Sequence, residues 1–104
     1  MWTIEKTYLQ KVRDYFVSDS IKVFPNPAKA GNKIKVECRK APPGEYKIDL
    51  YNLKGQLIKS SFARIENEIN VFTFQIPMIN TGSYLLRMTN KKSGKKYAEK
   101  IIIQ

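Results

Sequence analysis

Any chemistry in this chain has to come from lysines, arginines, a few carboxylates and one thiol, because it contains no histidine. That removes the commonest general base, proton shuttle and metal ligand together. The single cysteine, Cys38, alternates with Ile34 and Val36 and so belongs to an apolar strand face. A nucleophilic thiol needs an adjacent base, and the chain offers none. The nine carboxylates are expected on strand exteriors and turns, with the Glu66/Glu68 pair beside Asn67 in a solvated loop. No Cys/His cluster, acidic calcium loop or glycine-rich phosphate loop is present. The reading is therefore non-enzymatic, with no catalytic residue, no metal and no cofactor. What remains is recognition, and its clearest candidates are cations: Lys91, Lys92, Lys95, Lys96 and Lys100, grouped around Ser93-Gly94.

The elements that would position those lysines are strands. Tyr84, Leu86 and Met88 alternate along one segment, and Asn90-Lys91-Lys92-Ser93-Gly94 supplies a turn, with Gly94 suited to a positive φ. The returning segment ends in Ile101-Ile102-Ile103, whose first and third residues are expected to join the core. An apolar strand so close to a terminus must be pinned into a sheet or offered to a partner, because termini otherwise fray. Upstream the period is again two. Ile21–Phe24 is stopped by Pro25-Asn26-Pro27, a corner with two fixed φ angles and two missing N–H donors. Lys33–Arg39 turns Ile34, Val36 and Cys38 inward, and Tyr46–Tyr51 turns Tyr46, Ile48 and Leu50 inward. Asn52-Leu53-Lys54-Gly55 is a hairpin loop into residues 56–62, residues 63–68 are a polar link, and Asn70–Ile76 carries Phe72, Phe74 and Ile76 on one side. About seven strands at short spacing, with no helix among them, predict an all-β, immunoglobulin-like sandwich of antiparallel strands. A weak internal echo links Gly44-x-Tyr46 through Asn52 with Gly82-x-Tyr84 through Asn90. A tyrosine at a sandwich corner can bond back to the backbone through its hydroxyl, so Tyr46 and Tyr84 are read as structural.

The 104 residues suit one domain, and no apolar run approaches the ~20 residues that a membrane helix needs. The start lacks the pattern of a signal peptide, and the chain is expected to be a fragment of a longer protein. The net charge of +10 lies wholly beyond residue 20, since the first twenty residues hold three basic and three acidic side chains. A basic module is attracted to polyanions, although lysines also guard sheet edges. Residues 1–20 read as a separate extension: Ile4, Tyr8, Val12 and Tyr15/Phe16 have helical spacing, and Ser18, Asp19 and Ser20 form a polar joint. The domain is placed at 21–104.

Three groups of residues then combine. Val23-Phe24-Pro25-Asn26-Pro27-Ala28 comes first, followed by Gly44-x-Tyr46 with Leu50-Tyr51-Asn52-x-x-Gly55-Gln56. Thr81-Gly82-x-Tyr84, a turn with Gly94 and Lys100-Ile101-Ile102-Ile103 close the series. In order and spacing they resemble the C-terminal sorting domain, type A, of the Bacteroidetes type IX secretion system, over residues 21–104. The resemblance implies an immunoglobulin-like sandwich acting as an export signal. Its cargo would cross the periplasm and reach the outer-membrane surface or the medium. The implied partners are the type IX translocon, outer-membrane shuttle proteins, a sortase-like cysteine peptidase and anionic lipopolysaccharide. By position, a cut would fall at the Ser18–Ser20 joint, making residues 1–20 the tail of a cargo or linker.

Three further readings remain open at this level. A fibronectin-like module binding carbohydrate or protein would group exposed aromatics on one face, with Phe24 and Tyr51 as candidates. A nucleic-acid binder has the right charge, but no interleaving of aromatics with lysines supports specific recognition. Exposed strand edges would also permit a homodimer.

Overall fold

The computed structural model describes residues 21–104. The helix expected between Ile4 and Phe16 and the joint at Ser18–Ser20 lie outside the described residues. Seven strands follow one another without an intervening helix: β1 (Ile21–Phe24), β2 (Lys33–Arg39), β3 (Gly44–Asn52), β4 (Leu57–Ile65), β5 (Ile69–Gln75), β6 (Gly82–Asn90) and β7 (Lys96–Ile103). They form two antiparallel sheets, ordered β1-β2-β5 and β4-β3-β6-β7. The all-β sandwich expected from the period-two pattern is the fold observed.

Alternation builds the core directly. Ile34, Val36 and Cys38 from β2 meet Tyr46, Ile48 and Leu50 from β3 and Leu86 and Met88 from β6, all essentially removed from water. Each large aliphatic side chain buried in this way contributes ~1.5–3 kcal/mol. The expected inward places of Tyr84, Ile101 and Ile103 are also observed. Across the middle of the sandwich the Cys38 thiol lies 3.2 Å from Met88 Sδ, so the one cysteine is spent on packing. Burial, and secondarily the Glu37 charge, push its pKa up to about 12, which keeps the thiol protonated and unreactive.

Two expectations require correction. The presumed polar link at 63–68 is half strand: β4 runs on through Ala63 and Arg64 to Ile65, which is 1% exposed. The charges at Arg64, Glu66 and Glu68 hid a continuing alternation in which Ala63 and Ile65 face inward. Asp49 is likewise no solvated exterior carboxylate. It lies on the outer face of β3 yet is 1% exposed, because neighbouring side chains fold over it. Ser60 Oγ donates to Asp49 Oδ1 at 2.6 Å and Tyr51 OH to Oδ2 at 3.3 Å, while Arg87 Nη2 lies 3.8 Å away. The Arg87 guanidinium also stacks 4.7 Å from the centre of the Tyr51 ring.

The lateral sides of the sandwich differ. On one side, among the described residues, β4 and β5 end their sheets without a further strand, bridged where Lys59 Nζ donates to the Gln75 carbonyl at 2.7 Å. On the other side the chain after β1 closes over β7.

Candidate functional site

β7 is the element on which the first and last of the three sequence groups converge. Just after β1, the segment Asn26–Ala28 lies along the outer edge of β7 and occupies its backbone groups. Asn26 Nδ2 donates to the Lys100 carbonyl at 2.8 Å, and the Ile102 N–H donates to Asn26 Oδ1 at 2.9 Å. The Ala28 N–H donates to the Ile102 carbonyl and the Gln104 N–H to the Ala28 carbonyl, each at 2.8 Å. A parallel bridge pairs Ala28 with Ile103. Pro25 and Pro27 have no N–H to donate, so the donors that this short stretch turns to β7 are Asn26 and Ala28. Both peptides preceding these prolines are cis. Of the two alternatives open for this apolar terminus, pinning is the one observed: over its last residues the edge of β7 is clasped.

The glycine–tyrosine pairs are the second device. Tyr46 OH donates to the Pro42 carbonyl and Tyr84 OH to the Asn80 carbonyl, both at 2.7 Å and both four residues back. The structural role read for these tyrosines is thus observed twice, once at the entry of each central strand. β3 and β6 pair with each other so that Tyr46 faces Asn90 and Asn52 faces Tyr84. The internal echo is therefore a local two-fold relation in one sheet, and its closing asparagines have matching tasks. Asn52 Oδ1 accepts from the N–H groups of Lys54 and Gln56 at 3.0 and 2.9 Å. Asn90 Oδ1 accepts from those of Lys92 and Ser93, both at 2.9 Å. Each asparagine therefore holds the turn that follows it. The φ values of Gly55 (+84°) and Gly94 (+78°) complete these turns. Sequence reading treated the asparagines as punctuation; the Gly-x-Tyr…Asn echo was the signal that could have found them.

The third feature is the lysine-bearing turn between β6 and β7. The Lys91 N–H donates to the Glu45 carbonyl at 3.0 Å, the Gly94 N–H to the Asn90 carbonyl at 2.8 Å, and the Asn90 N–H to the Lys95 carbonyl at 2.8 Å. This ties the turn to β3 and closes it on itself. The structure gathers Lys91, Lys92, Lys95 and Lys96 here, at the same end as Gly44 and Tyr46. Lys100 stands apart, four residues up β7 beside the clasp, which is roughly 13 Å along a strand. Gly82, Tyr84, Gly55 and Pro25–Pro27 also belong to that far end. Lys91 reaches Glu45 at 3.6 Å and stands 5.3 Å above the Phe62 ring, and Lys95 lies 5.6 Å from the Tyr97 ring. Among the described residues, no group of three or more possible metal ligands occurs.

The candidate aromatics Phe24 and Tyr51 do not share a surface. Phe24 points outward from the β1-β2-β5 sheet, whereas Tyr51 lies half-buried beneath Arg87 on the other sheet. Phe62, the most exposed aromatic of the described residues at 65%, was not singled out from sequence.

A family model described as the secretion system C-terminal sorting domain matches residues 22–104. The chain belongs to that family. The matched region spans all the described strands except the first residue of β1. A comparison with curated proteins finds no significant match. The sorting domain is a type IX secretion signal of Bacteroidetes, and membership implies interaction with the type IX machinery and export across the outer membrane. The family is in general non-catalytic.

Proposed function

We propose that the secretion machinery reads this sorting domain at its lysine-bearing end, and that the clasp and tyrosine corners hold that end in one shape. The observation that carries this reading is the construction of the β6–β7 turn. Its backbone is fixed by Asn90 and Glu45, so four cations are displayed in a constant arrangement whatever cargo precedes the domain. Fixed charge favours fast, selective encounter with an acidic surface. The strand edges of β4 and β5 offer main-chain groups that are independent of side-chain identity, a second cargo-neutral feature. In this reading the cargo passes through the periplasm, is carried by the translocon and outer-membrane shuttle proteins, and is released at the surface by a sortase-like cysteine peptidase that joins it to anionic lipopolysaccharide. Residues 1–20 are the linker, and the cut falls at Ser18–Ser20.

Replacing Lys91, Lys92, Lys95 and Lys96 together by glutamine in an exported cargo tests the recognition surface. Surface display should fall at least tenfold while the domain keeps its β-sheet circular dichroism, and normal display would remove the turn from the mechanism. N-terminal sequencing of the released domain tests the cut, which is abandoned if the first residue lies outside roughly 15–24.

A further inference from the structure

A groove of about 610 Å³ runs beside the lysine turn, between it and the β2–β3 connection. Its lining is mainly apolar and includes Pro42, Pro43 and Gly44 together with Lys91, Lys92 and Lys95. A second depression of about 320 Å³ shares Glu45 and Lys91 with it and is walled by Phe62. Through these shared residues the two form one track, lined by the exposed Phe62 ring in one part and by Pro42, Pro43 and three lysines in the other. The volume lies in the range of ligand-binding clefts, and the groove is open along its length, which suits an extended chain rather than an enclosed small molecule.

We infer that this track binds an extended acidic peptide segment carrying an apolar anchor side chain. The anchor would lie on Pro42 and Pro43, and its flanking carboxylates would meet Lys91, Lys92 and Lys95. The charge balance selects the sign of the partner. Glu45 is engaged by Arg64 at 3.7 Å and Lys91 at 3.6 Å. Among the described residues the Lys92 ammonium has no ion-pair partner. The same Glu45 favours a peptide over a dense phosphate surface, because its carboxylate, 59% exposed, lines both depressions and accepts hydrogen bonds that phosphate groups have no N–H to give. A peptide can instead turn a backbone N–H toward it. Phe62 and the prolines give the apolar contact that pure charge attraction lacks, so discrimination between acidic ligands would come from the anchor. This deepens the sorting reading by giving the chemistry of the partner surface.

The test uses the 104-residue chain and three labelled ten-residue peptides: acidic with a central leucine, acidic with a central serine, and the leucine peptide with lysines replacing its acids. The expected result is tightest binding of the acidic leucine peptide, about tenfold better than the serine peptide, with none for the basic one. Phe62→Gln and Lys92→Glu, both at exposed positions that leave the core intact, should each weaken it at least fivefold. Equal affinity for the leucine and serine peptides would overturn the groove, as would a preference for phosphatidylglycerol vesicles over every peptide. If Phe62→Gln loses the peptide but is exported normally, the groove has no part in sorting and the sorting reading stands. If the unaltered domain is not exported at all, the sorting reading fails and the peptide titration alone decides the groove.

Discussion

Tyr46 and Tyr84 spend their hydroxyls on carbonyls four residues back, and each bond locks the entry to a central strand. Tyr46→Phe and Tyr84→Phe should each cost ~0.5–1.5 kcal/mol in urea unfolding, because the hydroxyl's bond is lost while the ring stays packed and the carbonyl, on an exposed residue, can turn to water. Unchanged midpoints would show that the corners are held by packing alone. Cys38 makes a pH-dependent prediction. Its thiol titrates near 9 when exposed and near 12 in the fold, so above pH 9 the unfolded chain has released a proton that the native chain keeps. Stability from this group is therefore full below about pH 9 and is lost as pH rises toward 12. Unfolding at pH 10 should be easier than at pH 8 by ~1.4 kcal/mol, and Cys38→Val should abolish that part. The raised pKa values of Tyr46 and Tyr97, due first to burial, act in the same direction at higher pH.

Among the elements, β7 depends on a partner that is distant in sequence. Asn26 makes two hydrogen bonds to its edge across more than seventy residues. Asn26→Ala should cost ~1–2 kcal/mol and expose the edge groups of Lys100 and Ile102. Amide exchange at Ile102 should accelerate while the Leu86 amide, in the middle of the sheet, stays protected. Equal acceleration of both would mean that the clasp is part of the global unfolding unit. Among the described residues the β4 edge has no such cover. Its exposed Leu57 and Phe62 make it the edge where an added strand would pair.

At the scale of the whole molecule, charge opposes self-association. The described residues hold the entire excess of +10, and the edge left for pairing carries Lys59 and Arg64. A homodimer through β4 or β5 should therefore be absent at 50 mM salt and strengthen at 500 mM, where the Debye length falls to a few ångströms. Light scattering after gel filtration checks this, and a dimer at low salt would point to an apolar interface. Asn26→Ala should move the onset to lower salt by adding the β7 edge.

The alternation of apolar residues by itself determined the number of strands and most of their buried faces, because burial on a pleated surface repeats every two residues. The last part of β4, with Ala63 and Ile65 set among charged residues, was missed. Gly-x-Tyr and the placement of turn residues likewise fixed the corners, since those are local geometry. Three things needed the tertiary structure. The pairing of Asn26 with β7 joins groups whose separation along the chain leaves no periodic trace. Asp49 looked exterior because strand position says which face a side chain takes, while only the neighbours Ser60, Tyr51 and Arg87 decide whether that face is covered. Finally, the lysines were legible as a cluster, but the groove beside them exists only because the Pro42-Pro43 turn and the β6–β7 turn meet at one end of the sandwich.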